Sequence, residues 1–247
     1  MDGFYEGMKM AIKEGYDWLW IHDDDAFVYK DTVKKLKESI NSQNDINNIS
    51  AICATVYEDE NNIAYDHRRR LKKTFLGVKE TSVNKDEYNK NNFEINIFSY
   101  VGIALNVDKL FQVGLDNKDL FIYFDDSSHS YRLSKVGKIV CYPSIKILHA
   151  NKYKDTGNHD ATWQMYYYIR NSIYFYKYVV RKGTSKLIIN NKKRALFRLL
   201  YRKDNDGYKE INQAIKDGLK CNLGINDVYK PGWKPHNYEK KEERIKY

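Results

Sequence analysis

Residues 18–28 read WLWIHDDDAFV, so an apolar run ends in Asp23, Asp24 and Asp25 side by side. Carboxylates a few ångströms apart repel one another, and each costs more to keep ionised as it leaves water. A cation removes that cost. In an extended chain the side chains at i and i+2 point the same way, so Asp23 and Asp25 are the pair expected to share an ion. Oxygen ligands favour a hard divalent cation, Mg2+ or Mn2+, with coordination positions left for phosphate oxygens. Further on, FIYFDD repeats the pattern, setting Asp125 and Asp126 after an aromatic segment that reads as a strand. One of the two is expected to cap the helix that follows. The chemical alternative is a general base. His149 closes the run IKILHA, where an imidazole can complete a metal site or serve a structural role. Each feature alone has a plain structural reading, but their order and spacing together point to chemistry.

The elements that must position these groups follow from periodicity. GFYEGMKMAIKEG predicts a short helix with Met8 and Ile12 on one face and Gly15 as its stop. YDWLWIH predicts a buried strand that delivers the acids, and SAICATVY a second buried strand. Between them, DTVKKLKESI predicts a helix with Asp31 as N-cap and Val33, Leu36 and Ile40 at helical spacing. YDHRRRLKKTFLGVKE reads as exposed strands or a hairpin, and residues 79–94 as a polar, mobile loop. INIFSYVGIAL reads as a strand, VDKLFQVG as a short helix, DSSHSYRLSKVG as a helix stopped by Gly137, and KIVCYPSIKILHA as strand material ending at His149. From Ala161 onward the pattern is helical, through ATWQMYYYIRNSIYFYKYVVRKG, KKRALFRLLYRK and YKEINQAIKDGLK. Strands alternating with helices, followed by a helical tail, predict an α/β core with a basic helical appendage.

The chain has 247 residues, 42% hydrophobic and 15% aromatic, which excludes a disordered polymer and fits one substantial domain with an appendage. The net charge of +9 is uneven: residues 1–150 carry −3 and residues 151–247 carry +12. Between Lys177 and Lys203 lie ten basic residues and no acidic one, a pattern that fits an anionic membrane surface or polyanion as partner. Cys53, Cys141 and Cys221 form no CxxC pair, as expected in a reducing cytoplasm and against a structural zinc site. Met1-Asp2-Gly3 leads into a mixed amphipathic segment, so no signal peptide is expected there, and no apolar run reaches the ~18–20 residues of a membrane span. A cytoplasmic protein is expected, peripheral on the inner face of the cell membrane if its tail binds lipid.

The segments GFYEGMKMAIKEGYDWLWIHDDDAF, FSYVGIALNVDKLFQVGL, LFIYFDDSSHSYRLSKVGKIVCYPSIKILHA and YYYIRNSIYFYKY resemble inverting family 2 glycosyltransferases of the GT-A fold, closest to the galactofuranosyltransferase and rhamnosyltransferase group. The resemblance runs over most of residues 3–180 and loosely through AIKDGLKCNLG. It implies a GT-A-like α/β fold, an incomplete Rossmann-like mixed sheet with flanking helices. Residues 1–155 would be the C-terminal portion of the catalytic domain, and 156–247 a basic helical region. Asp23 and Asp25 match the Asp-x-Asp positions that hold Mn2+ or Mg2+ on the donor diphosphate, and His149 a third metal ligand. Asp24 would face the sugar or support the loop. Asp126 matches the catalytic base, with Asp125 beside it orienting the acceptor. Ser99, Tyr100, Val101 and Gly102 match a segment lining the sugar pocket. Gly3, Phe4 and Gly7 fall in the segment that approaches the donor, and Arg170 and Asn171 match an Arg-Asn pair with a structural or acceptor-side role. The implied partners are a nucleotide-sugar donor, UDP-galactofuranose first and dTDP-rhamnose next, and a saccharide acceptor. That acceptor is a cell-surface polysaccharide, such as a bacterial capsule or O-antigen, or its lipid-linked precursor.

In that group a nucleotide-binding half precedes the segment that GFYEGM resembles, and here Met1 stands almost inside it. The expectation is therefore either an active transferase whose first half is supplied otherwise, or an inactive remnant or partner subunit. A nucleic-acid binder or metal-dependent phosphodiesterase is the third reading. It is disfavoured because the acids sit in the net-negative part of the chain and the tail carries no nucleic-acid signature.

Overall fold

A computed structural model describes residues 2–43, 45–75, 77–150 and 162–236. SAICATVY, the second buried strand expected, is the centre of the main sheet. β3 (Ile49–Tyr57) is buried at every residue but its last. Around it lie β1 (Trp18–Ile21), β2 (Ala26–Val28), β6 (Phe93–Ile95), β8 (Ile103–Asn106) and β9 (Lys138–His149), in the order β1-β8-β3-β9-β2, with β6 also paired to β9. The β3–β9 pair is parallel and the others antiparallel, so the sheet is mixed.

Side chains alternate between its two faces, as strand geometry requires. Ala51, Cys53, Ile103 and Leu105 join one apolar cluster, which includes Met8 of α1 (Asp2–Lys13) and Leu110 of α3 (Val107–Val113). Ile52, Ala54, Val56, Ala104 and Ile147 join a second cluster with Leu36 of α2 (Thr32–Asn41). Helices on both faces of a mixed sheet make the α/β architecture that the alternating pattern predicts.

Several local expectations are corrected. β1 is an edge strand, so only Ile21 of its four residues is fully buried. Val33 is 69% exposed, because α2 turns Leu36 inward instead. Residues 79–94 are structured: β5 (Gly77–Ser82), a 3-10 turn at Lys85–Asn89 and β6 are anchored by buried Val83, Tyr88 and Phe93. INIFSYVGIAL breaks into β7 (Ile97–Phe98) and β8, with Ser99–Gly102 between them. The charged hairpin exists as β4 (Arg68–Thr74) and β5, in a second sheet of order β5-β4-β7. Arg68 within it is nonetheless wholly buried, donating to the carbonyls of Ala54, His67 and Val101. Helix α4 (Asp125–Leu133) ends before Gly137. A glycine is needed at 137 for another reason: a Cβ there would lie 2.5 Å from Ser50 Oγ and 2.8 Å from the Asn48 carbonyl.

The basic tail folds as α5 (Trp163–Tyr174), which continues into a π-helical turn at Phe175–Val179, then α6 (Thr184–Tyr201) and α7 (Asn205–Lys220). Its own core gathers Tyr166, Tyr167, Ile173, Ala195, Ile211 and Ala214. The chain falls into two compact units. One comprises Met1–Thr74, Val78–Asn117 and Asp126–Lys154; the other comprises Phe75–Gly77, Lys118–Asp125 and Asp155–Tyr247. Among the described residues, no helix is long and apolar enough to cross a membrane.

Candidate active site

Register builds the first part of the site. In the antiparallel β2–β9 pair Ala26 lies opposite His149, so the residue before β2 meets the last residue of β9. The connection from β1 to β2 is a turn closed by the Ala26 amide on the Asp23 carbonyl. Asp23 and Asp25 therefore converge through a turn rather than along extended chain. His149 Nε2 lies 3.1 Å from Asp25 Oδ1 and 3.8 Å from Asp23 Oδ2. One ligand atom from each of the three residues fits within 4.8 Å of the others. The Asp25 side chain is 70% exposed and that of His149 11%, so the group has a buried side and an open one. Asp24 is exposed.

Burial raises the Asp23 pKa. His149 opposes the rise, while Asp25, Asp24 and Asp126 add to it by repulsion. This donor set fits a divalent ion. Crowded carboxylates favour Mg2+ or Mn2+, and a nitrogen ligand is better matched to Mn2+. The open side would leave coordination positions of such an ion unfilled by these three residues. Behind His149, the His67 ring packs edge-on at 5.6 Å, and its Nδ1 is 2.5 Å from Ser99 Oγ. Burial and Arg68 lower the His67 pKa to about 4, so this imidazole stays uncharged near neutral pH. Nothing in the spacing of YDHRRR marks His67 as a neighbour of the cluster.

The second part is the start of α4. FIYFDD is not a strand. A 3-10 turn at Lys118–Leu120 leads into a bend where Phe121, Tyr123 and Phe124 have φ of +67°, +66° and +65°. Such left-handed conformations are costly for aromatic residues and persist only where the surroundings fix them. Arg170 and Asn171 supply the fixing. The Asn171 side-chain amide donates to the carbonyls of Leu120, Ile122 and Tyr123, and Arg170 donates to those of Leu120 and Gly224. Both side chains are buried, at 1% and 0% exposure, and Arg170 Nε donates to Asn171 Oδ1 at 2.8 Å, joining the two. These bonds are what the structural role of the Arg-Asn pair would need.

Asp125 and Asp126 occupy the first turn of α4, where the helix dipole favours anions. Asp125 is buried and Asp126 half-buried. Asp126 Oδ1 accepts from the Ser127 amide and from Ser127 Oγ, the latter at 3.0 Å. Burial raises the Asp126 pKa, opposed by Arg69 and by the two Ser127 donors. A carboxylate of raised basicity is better able to take a proton from a hydroxyl. Because Asp126 also raises Asp23, the two carboxylate sites share one electrostatic field.

The segment Ser99–Gly102 lies beside these groups. The Tyr100 hydroxyl is 2.6 Å from His129 Nδ1, and Phe4 packs on the Tyr100 ring at 5.0 Å. Gly102 has φ +70°, and a Cβ there would come within 2.8 Å of Ile147 Cγ2, so only glycine fits. Gly3 and Gly7 are exposed on α1, and a Cβ at either would meet nothing within 4 Å. Packing therefore gives no reason for glycine at those two positions. Nothing in the sequence pattern marks Asp116, whose buried carboxyl is pushed up to about 6 chiefly by burial, or the Arg69–Glu80 ion pair at 2.6 Å. Asp116 stands in VGLDNKDLF, where its polarity looks like ordinary turn chemistry.

No protein-family model and no curated protein matches the chain. Among solved structures, it is similar to the crystal structure of GalNAc-T7 with UDP, GalNAc and Mn2+, at 13% identity and TM-score 0.48, covering 86% of this chain and 41% of that one. It is also similar to a mannosyltransferase from Pyrobaculum calidifontis in complex with GDP-Man and Mn2+, at 13% identity and TM-score 0.46, covering 87% of this chain and 66% of that one. The chain thus spans less than two thirds of the length of either.

Proposed function

We propose that this chain carries the metal and base sites of an inverting family 2 glycosyltransferase. The observation that carries the reading is the meeting of Asp23, Asp25 and His149 at one point, with Asp126 near enough for its charge to act on Asp23. One carboxylate site for a metal and a separate one for a base is what a single displacement at an anomeric carbon requires.

In this reading Asp23, Asp25 and His149 hold Mn2+, which when bound offsets negative charge on the leaving diphosphate. Asp126 accepts the proton of the acceptor hydroxyl as its oxygen attacks the anomeric carbon. The bond to the diphosphate breaks with its electron pair leaving on the nucleotide, and the anomeric centre inverts. Asp125, buried beside the base, helps orient the acceptor, and Asp24 stands at the open side toward the sugar. Ser99, Tyr100 and Gly102 form the wall of the sugar pocket. Phe4, packed on Tyr100, supports that wall, and Gly3 and Gly7 on the same helix face the donor. The donor is UDP-galactofuranose first and dTDP-rhamnose next. The acceptor is a growing surface polysaccharide or its lipid-linked precursor, reached by attachment of residues 177–203 to an anionic inner leaflet.

Release of UDP from UDP-galactofuranose with Mn2+, compared between wild type and Asp126→Asn, tests this. The variant should lose roughly 100-fold or more in turnover while still binding UDP. If wild type neither turns over nor binds UDP with Mn2+, the remnant or partner-subunit reading replaces this one.

A further inference from the structure

The base is held by a chain of contacts that begins two elements away. Arg69, the second residue of β4, donates from Nη1 to Glu80 Oε1 of β5 at 2.6 Å. Its Nη2 donates to Ser127 Oγ at 3.1 Å. A serine hydroxyl has one proton. With a lone pair occupied by the guanidinium, that proton goes to Asp126 Oδ1, 3.0 Å away. The Ser127 amide donates to the same oxygen. Ser127 is 4% exposed, and the Arg69 and Glu80 side chains are about three-quarters and four-fifths buried, so water competes weakly for these bonds.

The arrangement is asymmetric. Oδ1 of Asp126 is occupied by two donors from Ser127, whereas Oδ2 has no hydrogen-bond partner among the described residues. We infer that Arg69, acting through Ser127, is the positioning residue of the base: it locks Oδ1 and leaves Oδ2 as the oxygen that receives the acceptor's proton. This rests on the assignment of Asp126 as base. Glu80 has a matching part, since it fixes the fork of the guanidinium so that Nη2 points at Ser127. Lysine cannot reproduce the fork, because one ammonium cannot hold both partners in that fixed geometry.

The charged groups acting on Asp126 come from several elements. Arg69 on β4 favours its ionised form, while Glu80 on β5, Asp23 after β1 and Asp116 after α3 disfavour it. Arg69 is the one cation among these four. Its loss should make Asp126 hold its proton to higher pH, and a residue with only a packing role would not have that effect.

The test compares wild type, Arg69→Met, Arg69→Lys and Ser127→Ala in the full chain, each checked for folding by circular dichroism. The Asp126 carboxyl is followed by carbon-13 NMR titration, assigned with Asp126→Asn. Arg69→Met should raise the Asp126 midpoint by about one pH unit, Arg69→Lys should restore part of it, and Ser127→Ala should raise it less. In UDP-galactofuranose turnover, Arg69→Met should move the acidic limb of the pH–rate profile upward by a similar amount. Ser127→Ala should lower kcat about tenfold or more with the donor KM unchanged. An Asp126 midpoint that stays put in Arg69→Met overturns the inference, whether or not the wild type turns over. Turnover retained in Asp126→Asn would instead remove the base assignment on which the inference rests. If Arg69→Met does not fold, an unmoved midpoint in Ser127→Ala overturns it equally.

Discussion

His149 Nε2 lies 3.1 Å from Asp25 Oδ1, although 124 residues of chain separate the two. Neither residue seeks the other by local preference. The β2–β9 register that sets Ala26 opposite His149 forces the meeting, and that register is fixed by which side chains enter the core. A slip of one residue would turn Ile147 out of the apolar cluster and His149 away from the acids. The meeting of these candidate ligands and the hydrophobic packing are thus one requirement.

The first prediction concerns that cluster. Mn2+ should bind the wild-type chain, and Asp25→Asn or His149→Ala should each weaken binding at least about tenfold, or about 1.4 kcal/mol. The effect is larger than a distant surface charge gives, because Asp25→Asn removes the charge of a ligand and His149→Ala removes the ligand nitrogen. Titration calorimetry with and without UDP measures it. Equal uptake by wild type and by both variants would remove the metal site.

The second concerns the clamp on the bend before α4. Asn171→Ala leaves the carbonyls of Leu120, Ile122 and Tyr123 without its amide, next to three residues in left-handed conformations. Losing buried hydrogen bonds of this kind should cost about 2–4 kcal/mol in urea unfolding. Protease sensitivity should rise at residues 119–124, from which the chain passes directly into Asp125 and Asp126. A loss under about 0.5 kcal/mol would mean the bend is fixed by other contacts.

How much of this was legible beforehand depends on the residue. Asp23, Asp25 and His149 could be picked out because apolar runs deliver them, and strand periodicity survives in the sequence. The bend at Phe121–Phe124 could not, because its aromatic alternation imitates a strand and the residues that bend it, Arg170 and Asn171, lie some fifty positions later. The burial of Arg68 is hidden for a similar reason. It looks like part of an exposed basic hairpin, but its guanidinium satisfies the Ala54 carbonyl beside the register shift in the β3–β9 pair. Residues 79–94 look mobile by composition, yet three apolar anchors five residues apart, Val83, Tyr88 and Phe93, suffice to fold them down. Local polarity was visible, whereas the distant partner that uses it was not.

The third prediction concerns the tail. On α6, Ile189, Leu196 and Leu200 recur at helical spacing and are 54%, 49% and 67% exposed, with Phe197 and Tyr201 beside them at 50% and 77%. Lys192 and Lys193 are also exposed on this helix. If this face meets an anionic leaflet, vesicles containing phosphatidylglycerol should float with the chain while neutral ones recover much less. Replacing Lys192 and Lys193 by Glu should weaken recovery by about 1 kcal/mol for each charge removed. Leu196→Asp with Leu200→Asp should abolish it, because the apolar part of the contact is lost as well. Equal recovery from neutral and anionic vesicles would exclude the electrostatic attachment.

The last prediction is a pH dependence built into the helical unit. Glu210 on α7 is wholly buried, and burial pushes its carboxyl up to about 8, with Arg198 pulling the other way. The folded chain therefore keeps a proton that the unfolded chain releases near the ordinary value of 4.5. Stability from this group is fully present below that value, falls as pH rises toward 8, and is gone above it. Within the window the slope is at most about 1.4 kcal/mol per pH unit. His67 and His129 shift the opposite way, to about 4 and about 3, and affect stability mainly below their ordinary value of 6.5. Asp116, Asp23 and Asp126 are also raised, so unfolding measured by circular dichroism between about pH 6.5 and 8.5 reads Glu210 through the difference between wild type and Glu210→Gln. Wild type should weaken across that range, while Glu210→Gln, which keeps the shape and cannot ionise, should weaken less. A Gln variant that weakens as steeply as wild type would show that Glu210 is not the group responsible.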